Sequence, residues 1–234
     1  CLSNNINFID TAEMYPVNPI SAETVGRSEE IIGRWISANK TRRSDFILAT
    51  KHSGKGLSHV RNGAPITKDT IQNAVEGSLK RLKTDYIDLY QFHWPNRGSY
   101  MFRQNWKYDP SRQDKKSTLE NMYECLVILQ KEVEKGNIRY FGLSNESAWG
   151  TANWLKLSEQ HNLPRVATIQ NEYSLLCRLY DTDLAELSVN EGVGLMAFSP
   201  LAAGLLTGKY LDGNLPENSR KLINQDLGGR DNPR

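Results

Sequence analysis

Six short apolar runs of strand character punctuate this chain, and each is followed at once by a polar side chain able to do chemistry. Phe8-Ile9-Asp10 leads to Tyr15, Phe46-Ile47-Leu48-Ala49-Thr50 to Lys51, and Ile87-Asp88-Leu89-Tyr90-Gln91-Phe92 to His93. Tyr140-Phe141-Gly142-Leu143 runs into Ser144-Asn145, Ala167-Thr168-Ile169 into Gln170-Asn171, and Leu195-Met196-Ala197-Phe198 into Ser199-Pro200. Strands that all deliver polar groups at their C-terminal ends describe one face of a barrel, the face on which such folds place active sites.

Segments with helical periodicity lie between the strands. Ile31, Ile32, Trp35 and Ile36 form one stripe, and a second runs through Ile71, Val75, Leu79 and Leu82 behind an N-cap at Thr67. A third helix is expected from Thr118 to Lys135, carrying Leu119, Met122, Leu126, Leu129 and Val133 and stopping at Gly136; segments 148–160 and 181–190 read as two more. Strand alternating with amphipathic helix leaves an open doubly wound sheet or a closed (β/α)8 barrel. The G-x-G-x-x-G of a dinucleotide-binding open sheet is missing: Gly54-Lys55-Gly56 lacks the third glycine. Gly204-Leu205-Leu206-Thr207-Gly208-Lys209 is one residue short of a phosphate loop and continues with Tyr210.

The repeating pattern makes residues 1–234 one domain. Its 29 basic and 27 acidic residues leave a formal charge of +2, with short basic clusters at Lys40-Arg42-Arg43 and Lys115-Lys116. These read as solvated loop faces, and no aromatic-interleaved basic stripe points to nucleic acid. Cys1, Cys125 and Cys177 show neither a disulfide framework nor metal-ligand spacing, which fits a reducing, cytoplasmic setting with no metal. No apolar run is long enough for a membrane span. The segment from Pro95 to Ser117 is non-periodic, holds Tyr100, Phe102, Trp106 and Tyr108, and begins beside His93, so residues 95–117 are expected to be an active-site loop insertion walling a substrate pocket.

The order Asp10-Thr11-Ala12-Glu13-Met14-Tyr15, then Lys51, then His93, each at a strand end, resembles the tetrad of the aldo-keto reductases. Four further motifs support the resemblance: Thr84-Asp85-Tyr86-Ile87-Asp88-Leu89-Tyr90, Gly142-Leu143-Ser144-Asn145, Ile169-Gln170-Asn171-Glu172-Tyr173-Ser174 and Phe198-Ser199-Pro200-Leu201. The similarity runs from Asn7 to about Gly213, and the chain closely resembles the bacterial Tas-type branch. It implies an α/β (β/α)8 TIM barrel that is incomplete here, with strands equivalent to the second to seventh of eight. The start at Cys1 ahead of a strand and the polar tail from Gly213 to Arg234 fit a fragment.

The need for these four residue types stands beside the resemblance. Reducing a carbonyl by hydride transfer builds negative charge on oxygen, so a proton donor must lie within hydrogen-bond reach. Tyr15 is the candidate donor, and a nearby ammonium on Lys51 is expected to lower its pKa. Asp10 has the sign to keep a buried Lys51 charged, and His93 can orient the carbonyl and stabilise the oxyanion. The family assigns the same roles.

The resemblance further implies NADP(H) as cofactor. Ser144, Asn145 and Gln170 match the residues that hold the nicotinamide carboxamide, and Phe198 the ring stacked on the nicotinamide. Ser199, Pro200, Leu201, Gly204 and Lys209 match the loop along the pyrophosphate, and Asp10 borders the same site. The segment that grips the adenosine 2′-phosphate falls beyond Arg234, so the NADP preference comes from resemblance alone. The expected reaction is reduction of small-molecule aldehydes or ketones to alcohols. The alternative is a non-catalytic NADP(H)-binding regulatory subunit like the potassium-channel β-subunits. Those carry Asn at the position of His93, which favours an enzyme. Substrate identity and oligomeric state are left open by the sequence.

Overall fold

A computed structural model describes residues 1–230. Strands β1 (Phe8–Asp10), β2 (Ile47–His52), β3 (Ile87–Phe92), β4 (Ile138–Ser144), β5 (Val166–Glu172) and β6 (Gly194–Phe198) are separated by helices α1 (Arg27–Ala38), α2 (Lys68–Leu82), α3 (Lys115–Glu134), α4 (Ala148–His161) and α5 (Leu184–Glu191), and α6 (Arg220–Ile223) follows β6. All neighbouring strands pair in parallel, in the order β1-β2-β3-β4-β5-β6. A doubly wound sheet reverses its strand order at a switch point. The unbroken sequential order is instead that of a (β/α)8 barrel, here six strands of it.

The central strands owe their near-continuous apolar runs to burial on both faces. Every residue of β3 is buried, as is β2 from Leu48 to His52. Outward-facing side chains meet the helices in one core around Leu48, Tyr90, Phe92, Phe141, Trp154 and Leu126. The two outer strands are less covered: Phe8 on β1 is exposed, and on β6 so are Gly194 and Ala197.

The helices follow the sequence periods with instructive shifts. In α2 the Thr67 amide donates to Thr70 Oγ1 at 3.0 Å in a capping box, and Ile71, Val75 and Leu82 are fully buried. The stripe expected on α1 is narrower than the sequence suggests. Ile36 is buried, but Ile31 and Trp35 are exposed, because the helix turns Gly33 toward α2. A Cβ at Gly33 would lie 2.1 Å from the Arg81 carbonyl oxygen, so that close approach requires glycine. Helix α3 starts at Lys115 rather than Thr118, since the Asp114 side chain accepts from the Ser117 amide and caps it. Residues 115–117 are therefore helix, not loop.

One surface expectation is corrected. Arg43 is not a solvated loop residue: it is buried, donates to Asp88 Oδ2 at 2.8 Å and stacks 3.8 Å from the Tyr86 ring centroid. The described part of the polar tail, up to Arg230, contacts the rest of the fold. Leu227 is buried, and Arg230 Nε donates to Glu172 Oε1 at 2.9 Å beside Arg103 of the 95–117 segment, which reaches the same oxygen at 2.8 Å. Among the described residues no helix is long and apolar enough to cross a membrane, and no cluster of His, Cys, Asp or Glu is placed to hold a metal.

Candidate active site

Four strand ends converge on one polar centre. Alternation along β2 turns Thr50 and His52 toward the helices and Lys51 toward the barrel interior, where its Nζ meets Asp10 Oδ2 at 2.6 Å and the Thr11 carbonyl oxygen at 2.7 Å. Gln91, two strands from Asp10, donates from Nε2 to Asp10 Oδ1 at 3.1 Å. Both carboxylate oxygens of Asp10 are thus engaged. The Lys51 side chain has no exposed surface, and an ion pair of this geometry is what a buried ammonium needs to stay charged. Burial lowers the Lys51 pKa, and Asp10 acts against that lowering.

Tyr15 lies above this pair. Its ring centroid is 5.3 Å from Lys51 Nζ, and its hydroxyl oxygen is 3.5 Å from His93 Nε2. Tyr15 and His93 meet edge to face, with centroids 5.5 Å apart. The structure therefore brings Asp10, Tyr15, Lys51 and His93 together.

The electrostatics differ from expectation in one respect. Lys51 does not lower the Tyr15 phenol, because its Nζ is committed to Asp10 and the Thr11 carbonyl. Burial, with the Asp10 carboxylate nearby, pushes the phenol up to about 12. Tyr15 is protonated at neutral pH. His93 is held well below the ordinary imidazole range by burial and by the Lys51 charge, and is neutral. Its Nδ1 is buried without a hydrogen-bond partner. A bare acceptor costs less than a buried N–H without a partner, so the proton belongs on Nε2, facing Tyr15.

Three of the expected nicotinamide contacts also adjoin one another. The Ser144 hydroxyl donates to the Gln170 carbonyl oxygen at 2.8 Å, and the Asn145 amide to the same oxygen at 3.0 Å. Asn145 Nδ2 donates to the His93 carbonyl oxygen at 2.9 Å, tying this group to the tetrad. Asn145 adopts a φ of 54°, a left-handed conformation uncommon outside glycine and found at functional sites. Its Oδ1 is buried and has no partner.

Phe198, Ser199, Pro200 and Leu201 continue from β6 along the same rim. The Phe198 carbonyl accepts from the Tyr173 amide at 3.3 Å, and Leu201 is exposed. Further on, Gly204 (φ 104°) makes room for Lys209, whose Nζ would lie 3.0 Å from a Cβ there. Among the described residues no hydrogen bond or ion pair joins Lys209 to Asp10, Tyr15, Lys51 or His93; its ammonium lies 5.2 Å from the Tyr210 ring centroid.

The supporting residues were not singled out in the sequence. Glu13 ties the Tyr15 loop to the end of β2: its Oε1 accepts from the Ser53 amide at 2.5 Å and its Oε2 pairs with Arg61. Glu29, fully buried in α1, accepts from Thr50 at 2.5 Å and from Arg81 at 2.6 Å. In the 95–117 segment, Phe102 meets Trp94 edge to face at 6.1 Å, and Trp94 lies 4.9 Å from His93.

Comparison with known proteins accords with this geometry. The family model described as aldo/keto reductase family matches residues 1–227. Protein tas of Escherichia coli (strain K12) is 42% identical over 225 residues, covering 95% of this chain and 63% of that protein. The uncharacterized oxidoreductase YrpG of Bacillus subtilis (strain 168) is 31% identical, over 94% of this chain and 61% of its own length. A probable voltage-gated potassium channel subunit beta of Arabidopsis thaliana is 33% identical, over 94% and 58%. The chain thus spans less than two thirds of each of these relatives. Matched along nearly its whole length, the chain belongs to the aldo/keto reductase family.

Proposed function

We propose that the protein is an NADP(H)-dependent oxidoreductase that reduces aldehydes or ketones to alcohols, with Tyr15 as the proton donor. The observation that carries the reading is the placement of a protonated Tyr15 hydroxyl 3.5 Å from a neutral His93 Nε2, above the buried Lys51–Asp10 pair. A carbonyl oxygen set beside both groups receives hydrogen bonds from the phenol and from the imidazole. Asp10 holds Lys51 charged beneath the Tyr15 ring, whose centroid lies 5.3 Å from the ammonium.

The bound nicotinamide supplies the hydride. The residues present fit it: Asn145 Oδ1 is a buried acceptor without a partner, suited to the carboxamide N–H groups, and Ser144 and Gln170 adjoin it. Phe198 offers a ring at the rim for stacking, while Ser199, Pro200, Leu201, Gly204 and Lys209 form the loop that would meet the phosphates, Lys209 by its charge. NADP(H) rather than NAD(H), the role of Asp10 at the cofactor's edge, the 95–117 segment as an active-site wall and a cytoplasmic setting belong to the same proposal.

The test is NADPH titration by fluorescence on wild type and Asn145→Ala. The variant is expected to bind at least about tenfold more weakly, the loss of a buried hydrogen-bond partner. Equal affinity would remove Asn145 from the cofactor site. The Arabidopsis thaliana relative supports a second reading, a regulatory NADP(H)-binding subunit. NADPH binding with no turnover across an aldehyde panel would favour it.

A further inference from the structure

A cavity of about 310 Å³ lies behind the polar centre, in the helix layer, among the C-terminal ends of β3 and β4, the first turns of α2 and α3, and α4. Its apolar walls include Phe92, Trp94, Met122, Leu143 and Trp154, with uncharged polar groups from Asn96, Asn121 and Ser144 among them. No residue of the tetrad lines it, although Ser144 at the end of β4 does, and the alternation of the strands sets its floor on the outer face. Lys51 and Gln91 both reach Asp10 inside the barrel. Phe92, one residue after Gln91, therefore faces outward, and its ring lies 5.5 Å from that of Trp154 on α4. Leu143 is its register partner on β4 and shares that face. His93 and this cavity stand on opposite sides of one strand, with Trp94 touching both.

The chemistry of the walls selects the occupant. Ligand sites are concave, mostly apolar in surface and about 300–1,000 Å³, and this cavity lies at the small end of that range. The charged side chains at its edge are Arg97 and Glu146, which form a two-pronged ion pair packed over Gly150. Their charges cancel, and Glu146 also accepts from the Ser147 amide at 2.7 Å. A charged ligand would enter without a counter-ion and lose its hydration uncompensated. An uncharged one loses little.

We propose that this cavity is a second ligand site, separate from the carbonyl site, for a small uncharged aromatic molecule. The inference does not rest on the reductase reading. Its occupant would press on Phe92 and Trp94, which flank His93 along the chain.

The probe is 2-naphthol, which has no carbonyl to reduce, followed by the indole N–H signals of the five tryptophans in 15N-labelled protein. Trp154 is the reporter, because it lies in the helix layer away from the tetrad. Saturable shifts are expected at Trp154 and Trp94 but not at Trp35 or Trp106, with 2-naphthoate at least about tenfold weaker as an uncompensated charge. Met122→Trp, which fills the cavity, is expected to abolish the Trp154 shift, and Tyr15→Phe to leave it intact. No saturable shift at Trp154 in wild type overturns the proposal, as does retention of the shift in folded Met122→Trp. Equal binding of 2-naphthoate overturns the uncharged class. Should Met122→Trp fail to fold, the wild-type tryptophan shifts decide alone.

Discussion

Lowering the pH from 7 protonates His52 in the unfolded chain well before it does so in the fold. The ring is fully buried behind β2, with Nδ1 2.8 Å from the Ser53 carbonyl oxygen and 3.0 Å from Arg61 Nη2, and with Nε2 3.1 Å from Thr70 Oγ1. Burial, aided by Arg61 and opposed by Glu13, lowers its pKa from 6.5 to about 4. Below pH 6.5 the unfolded state takes up a proton that the native state refuses, so stability falls as pH falls and goes on falling until about pH 4. Each tenfold difference in proton affinity between the two states is worth about 1.4 kcal/mol. The whole window therefore amounts to ~3 kcal/mol, and the part between pH 7 and pH 5 to ~2 kcal/mol. Urea unfolding of wild type and His52→Gln at both pH values measures it. Glutamine cannot take up the proton, so the variant should lose ~2 kcal/mol less than wild type over that interval, whatever its stability at pH 7. Equal losses in the two proteins would refute the assignment of the acid sensitivity to His52.

Two further substitutions test the scaffold under the site. Glu29→Ala leaves Arg81 beside a fully buried void and strips Thr50 of its acceptor, and should cost about 3–5 kcal/mol in urea unfolding. Gly33→Ala places a methyl 2.1 Å from the Arg81 carbonyl oxygen and should cost about 1–3 kcal/mol by forcing α1 from α2; a change within about 0.5 kcal/mol, the usual surface value, would mean that the helices part freely there.

The strand ends were legible because parallel strands buried on both faces leave long apolar runs, and the polar residue after each run stands out against them. Asp10, Lys51 and His93 were found this way, and the structure joins them with Tyr15 into one centre. Helix α2 was equally plain, with both its cap and its stripe in the sequence. The features that were not legible depend on neighbours distant in sequence. Arg43 looks like a loop cation until Asp88 and Tyr86 are set beside it. Ile31 and Trp35 are apolar at helical spacing, yet the close approach at Gly33 turns them outward. The Tyr15 pKa was misjudged for a similar reason: proximity of a lysine suggests a lowered phenol, but Lys51 is already committed to Asp10 and Thr11. Glu13 and Glu29 would each pass as surface carboxylates, and only the fold shows them holding the Tyr15 loop and the back of β2.

The most direct test of the central claim is NADPH oxidation with 4-nitrobenzaldehyde by wild type and Tyr15→Phe, with NADPH affinity measured on both. The account predicts that Tyr15→Phe keeps its affinity and lowers turnover by about 10²–10⁴-fold, the usual worth of a positioned general acid. Turnover in Tyr15→Phe equal to that of wild type would contradict it.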